Sequence, residues 1–133
     1  MQTISVEQFK LADKTVQSEI IKWWKPSEYD IVANFSSTGF VKEIGESGVL
    51  CYWSNEKYEK WQQKEELIPL LTVGQLIEFI ESKTEYYLEI KYDESNDYGY
   101  IFNIGLRDMK HYSRYVDLLK ALWELAEVIC EKI

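Results

Sequence analysis

Nucleophilic catalysis requires a nucleophile held beside a base. The chain offers two cysteines, Cys51 and Cys130, and a single histidine, His111. Cys51 lies on an alternating apolar run with Val49 and Trp53, and Cys130 lies near the end of a C-terminal helical pattern. Both positions read as buried, reduced thiols, and nothing in the spacing ties either one to His111. A zinc site needs three or four ligands at workable spacing, so one His and two distant Cys predict none. Asp93-Glu94-Ser95-Asn96-Asp97 has the acidic look of a calcium loop. Tyr98 stands where such a loop needs its sixth-position Gly, and the closing Glu is missing, so the segment reads as a solvated turn. No GxxxxGK[ST], GxGxxG or GxSxG pattern occurs. The residues therefore predict no metal and no cofactor, and they favour a noncatalytic protein over an enzyme.

Charge and aromatic residues supply the binding candidates. Fifteen Lys and Arg against 23 Asp and Glu give a net charge of −8, which disfavours nucleic acid and anionic membrane as partners. Between Glu78 and Asp97 seven acids face two Lys. Glu85, Glu89, Asp93, Glu94 and Asp97 form the candidate acidic surface for a basic partner. Between Arg107 and Arg114 the balance reverses. Arg107, Lys110 and Arg114, next to a helix start expected at Ser113, form a candidate anion site. The bland reading of both runs is a solvated surface. Aromatics make up 15% of the chain, which is high, and the bland reading is that helices cover both sheet faces. Tyr58, Trp61 and Tyr87 are the candidate exposed anchors, and Tyr52 is placed with them because it opposes Trp53 on its strand.

The elements that would position these residues can be read from periodicity. Ser5 and Gln8 form a capping-box pattern at the head of a helical region that reaches about Trp24, with a break near Asp13. Pro26 ends it. Tyr29–Phe35, Phe40–Ile44 and Val49–Trp53 alternate as three strands, the last two joined by Gly45-Glu46-Ser47-Gly48. Asn55–Glu66 is charged and is left as a loop or short helix. Thr72 and Gln75 repeat the capping box ahead of a helix from Val73 to Ser82. Two strands, from Tyr86 to Tyr92 and from Tyr98 to Ile104, make a hairpin. A final helix, capped by Ser113, runs to Glu131 with Tyr115, Leu118, Leu119, Leu122, Leu125, Ala126, Ile129 and Ile133 as its apolar stripe. The expected architecture is one α+β domain over residues 1–133. An antiparallel sheet, a three-stranded meander plus a hairpin, is packed by helices in the order α-βββ-α-ββ-α.

The helix ending in Trp23-Trp24-Lys25-Pro26, the run Ile68-Pro69-Leu70-Leu71-Thr72-Val73-Gly74-Gln75-Leu76-Ile77-Glu78-Phe79-Ile80 and the C-terminal Leu118-Leu119-Lys120-Ala121-Leu122-Trp123-Glu124-Leu125-Ala126 together resemble small uncharacterised proteins encoded by phages and prophages of Gram-positive bacteria. The resemblance covers most of the chain and brings no assigned activity or site residues. It implies a bacterial cytoplasm, in keeping with the absence of a secretory pattern in Met1–Asp13 and of any apolar run long enough to span a membrane. The expected function is a noncatalytic accessory protein that engages a basic host protein through an acidic surface. The alternative is a small enzyme, or a small-ligand or anion-binding domain with an unrecognised site. Homo-oligomerisation is left open.

Overall fold

The computed structural model describes residues 2–34, 37–54, 59–94, 99–105 and 109–132. The protein is α+β; its described residues form four α-helices and two separate antiparallel sheets, where one sheet in the order α-βββ-α-ββ-α was expected.

Two short helices open the chain, α1 (Val6–Leu11) and α2 (Lys14–Trp23). The Ser5–Gln8 capping box forms in full: Gln8 N–H donates to Ser5 Oγ and Ser5 N–H to Gln8 Oε1. The break falls where expected. Gln17 secures it, because its Nε2 donates to the carbonyls of Phe9, Lys10 and Ala12 at the end of α1, where the Phe9 carbonyl also accepts from the Ala12 N–H.

A five-stranded sheet follows, built from β1 (Ile31–Ala33), β2 (Thr38–Ile44), β3 (Val49–Ser54), β4 (Glu59–Gln63) and β5 (Ile68–Pro69), in the spatial order β4-β3-β2-β1-β5. Every pairing is antiparallel. The β2–β3 hairpin turns at Ser47 and Gly48, both with positive φ, as a tight turn between right-twisted strands demands. Gly39 is needed for a different reason: a Cβ there would lie 2.1 Å from the Trp53 carbonyl oxygen across the ladder. A register shift between Val41 and Glu43 marks a bulge, which bends and twists this sheet. Its inner face holds Val32, Val41, Leu50, Tyr52 and Leu67, closed at one end by Trp24.

Several expectations are corrected here. Tyr52 is fully buried rather than exposed. Its hydroxyl donates to the Ser37 carbonyl at 2.8 Å and lies 2.6 Å from Ser37 Oγ, so the phenol carries its polar end into the core fully satisfied. The inner face is therefore the Leu50–Tyr52 face, and Trp53 is half-buried on the other side against Phe40. Tyr29 precedes the strand, takes a positive φ and is exposed. The segment left as loop or helix contains β4, followed by a 3-10 turn at Lys64–Glu66.

Beyond β5, α3 (Val73–Thr84) begins with the Thr72–Gln75 capping box. The second sheet then runs β6 (Leu88–Tyr92), β7 (Tyr100–Ile104) and β8 (Met109–Ser113), in that order and antiparallel. Ser113, expected to cap the last helix, is thus the final residue of a strand, and α4 (Leu118–Glu131) starts five residues after it. Asp117, not Ser113, is its cap, accepting from the Lys120 N–H. Tyr115 lies outside the helix, and Ile133 lies outside the described residues. The buried side of α4 supplies Leu119, Leu122, Leu125, Ala126 and Ile129 to a core shared with α2, α3 and the inner face of the second sheet.

Candidate functional site

So much of α4 is buried that what remains visible is informative. After Leu118, its incompletely buried positions are Lys120, Glu124, Glu127, Val128 and Glu131, spaced so that they share one face. Glu124 and Glu127 line a groove of about 640 Å³ between α4 and α1. Trp123 and Ala12 form part of its wall, and Gln8, Leu11, Tyr115 and Lys120 complete much of its rim. Leu11 is 86% exposed and Tyr115 47%, so apolar surface flanks the carboxylates.

The charges that act on Glu127 are all acidic, although Lys120 stands on the same face. Burial pushes the Glu127 carboxyl above its ordinary range, and Glu131, Asp13 and Glu124 push it further in that direction. Asp13 is available for this because, although it is the N-cap of α2, its side chain makes no capping hydrogen bond. Glu124 has a partner of its own: His111 Nε2 lies 2.7 Å from Glu124 Oε1, joining β8 to α4. The imidazole is also stacked on Phe102, with centroids 6.3 Å apart. A carboxylate that orients a histidine is half of a catalytic arrangement. Among the described residues no nucleophile is hydrogen-bonded to that histidine.

The thiols are placed away from chemistry. Cys51 and Cys130 are buried and neither is in a disulfide. Burial, with Glu19 adding to it, pushes the Cys130 thiol up to about 11, which leaves almost no thiolate at neutral pH. Among the described residues no group of three or more His, Cys, Asp and Glu side chains is placed to hold a metal ion, and no helix is long and apolar enough to cross a membrane.

The candidates named from sequence fall on separate elements. Glu85 is the left-handed C-cap of α3. Glu89 stands on the outer face of β6, 3.5 Å from Lys91. Asp93 and Glu94 follow β6, and Asp97 lies outside the described residues. Glu81, from the same acidic run, accepts from the Leu88 N–H and so holds the start of β6. Tyr87 is 87% exposed beside β6, and Trp61 is half-exposed on β4 of the other sheet, so these two anchors do not share a sheet. Tyr58 lies outside the described residues, as does Arg107. Lys110 is exposed on β8 and Arg114 is exposed just after it. The helix start that was to assist them is absent: α4 begins further on, and the Asp117 carboxylate already occupies its first turn. The α4 groove was missed because its residues come from positions 5–12 and 115–127, and no local spacing connects them.

Comparison with protein-family models, curated proteins and solved structures finds no match to this chain.

Proposed function

We propose that the chain is a noncatalytic protein-interaction module that docks a basic segment of a partner protein onto the carboxylate face of α4. The observation that carries this reading is Glu127, held partly buried beside three other acids on a groove rimmed by exposed apolar side chains. Like charges gathered in a partly desolvated place cost stability. An arriving ammonium or guanidinium relieves that cost, and Leu11 and Tyr115 give its apolar neighbours a surface to desolvate. Charge attraction of this kind raises the association rate and fixes orientation, and it fades over a Debye length of ~8 Å at physiological salt. The resemblance to phage and prophage proteins favours a bacterial host protein as the partner. The acidic run from Glu85 to Glu94 can extend the negative field that steers it.

The experiment is capture of partners from a Gram-positive lysate at low and high salt, with the wild-type chain and an Asp13→Asn, Glu127→Gln, Glu131→Gln variant. A partner held at low salt by the wild type and lost by the variant supports the reading. Partners retained equally by both, or none, overturn it. Glu124 is left unchanged, because altering it would also release His111.

A further inference from the structure

A second cavity, independent of the α4 groove, lies where the five-stranded sheet is open. Strands β4 and β5 are its two edges, linked by the 3-10 turn at Lys64–Glu66. Between them, under α1 and α2, is a space of about 580 Å³, within the range that takes small organic ligands. Phe9, Ile21, Leu67 and Ile68 give it apolar walls.

Its polar groups are set by strand register. Gln62 pairs across the ladder with Leu50, and Lys60 with Tyr52. Directly opposed residues share a face, so Gln62 and Lys60 stand on the inner face of the sheet. Gln62 is only 9% exposed. Its Oε1 accepts from Asn34 Nδ2 at 3.3 Å, while its Nε2 donates to no described residue. No buried side-chain nitrogen or oxygen among the described residues lacks a partner, so this amide nitrogen keeps some exposure, on a residue that lines the cavity. A nine-tenths-buried amide with an unspent donor, in an apolar-walled space with an ammonium two residues along the strand, is a built site for an acceptor that carries negative charge.

We infer that this cavity binds a small monocarboxylate with an apolar body. The carboxylate accepts from Gln62 Nε2 and is neutralised by Lys60, and the body lies against Phe9, Ile21, Leu67 and Ile68. Lys10, Glu65 and Glu66 also line the space. The two glutamates oppose multiply charged anions, so phosphate is excluded while a single carboxylate is tolerated.

The test is titration of the ¹⁵N-labelled full chain with octanoate, 3-phenylpropionate, 3-phenylpropanol and inorganic phosphate, followed by amide shifts. At least one carboxylate should saturate at millimolar concentration or below, moving the Gln62 side-chain NH₂ and the backbone amides of residues 60–68. The alcohol should bind at least tenfold more weakly, and phosphate should move nothing. Gln62→Glu and Lys60→Gln should each weaken carboxylate binding by tenfold or more. Ile21→Trp, which fills the space, should abolish it with the remaining spectrum intact, and this keeps the test sharp if Gln62→Glu fails to fold. Failure of both carboxylates to saturate overturns the inference and leaves Lys60 as an inward charge guarding an edge strand. Equal binding of the alcohol, or undiminished binding by folded Ile21→Trp, overturns it as well.

Discussion

Burial holds the Glu127 carboxyl above its ordinary range, and Glu131, Asp13 and Glu124 push the same way. The folded chain therefore binds that proton more tightly than the unfolded chain does. Ionised Glu127 costs stability at neutral pH, and the cost disappears as acid protonates the group in both states. Glu127→Gln should raise the thermal midpoint at pH 7, and the gain should vanish below about pH 4, where an ordinary glutamate is itself largely protonated. Midpoints of both proteins measured from pH 3 to pH 8 check the sign, and a Glu127→Gln protein no more stable at pH 7 contradicts it. A variant that is more stable yet poorer at holding a partner would be the mark of a residue kept for binding. Cys130 gives a second prediction at this scale. With its thiol pushed up to about 11 and its side chain buried, it should resist a thiol reagent at pH 8 in native protein and react fully in denaturant. Rapid native labelling, located to Cys130 by mass spectrometry, would show that it is not held in the core.

Among the elements, α4 carries the largest share of buried side chains of any helix. Leu122 is fully buried in its middle, so Leu122→Ala should cost about 2–5 kcal/mol by denaturant titration. Asp117→Ala, which removes only the cap, should cost about 1 kcal/mol. If Ser113 were the cap, the same measurement would find Asp117→Ala neutral. Ser113 instead ends β8, fully buried, and its Oγ accepts from the Tyr115 N–H. That boundary was illegible because Met109-Lys110-His111-Tyr112-Ser113 lacks an apolar alternation. Its inward face carries His111, made tolerable by Glu124 and Phe102, and a satisfied serine. Strand β4 hid for a similar reason, since Gln62 and Lys60 stand inward on a sheet edge. Where local chemistry decides, the residues were sufficient: both capping boxes form as spaced, and Leu88, Ile90, Phe102 and Ile104 face inward as alternation requires. Tyr52 shows the limit of alternation. It gives the two faces of a strand but not which one is covered, and in β3 both sides carry large apolar groups.

At the scale of the whole molecule, apolar side chains form two clusters, one inside the five-stranded sheet and one between the helices and the second sheet. Trp23 packs against both, meeting Phe79 edge-on at 5.4 Å, while its neighbour Trp24 closes the first. The polar counterpart of this junction is Asp30. Its carboxylate accepts from the Trp24 indole N–H at 2.9 Å, from the Ser27 N–H at 2.9 Å and from Gln75 Nε2 at 3.1 Å. One side chain thus ties the end of α2, the lead-in to β1 and the first turn of α3. Trp24 is 1% exposed, so removing its acceptor leaves a buried N–H without a partner, at a cost of about 1–3 kcal/mol. If the two clusters fold as one cooperative unit, tryptophan fluorescence and far-ultraviolet circular dichroism should report the same denaturation midpoint in the wild type. Asp30→Ala should lower the midpoint, and if the junction is what couples the clusters, the two signals should separate. Asp30→Asn keeps an acceptor for the indole and should retain most of the stability and the coincidence of the two probes. An Asp30→Ala protein with an unchanged midpoint would place the coupling in the Trp23 packing alone, and Trp23→Ala would then be the variant that splits the transition.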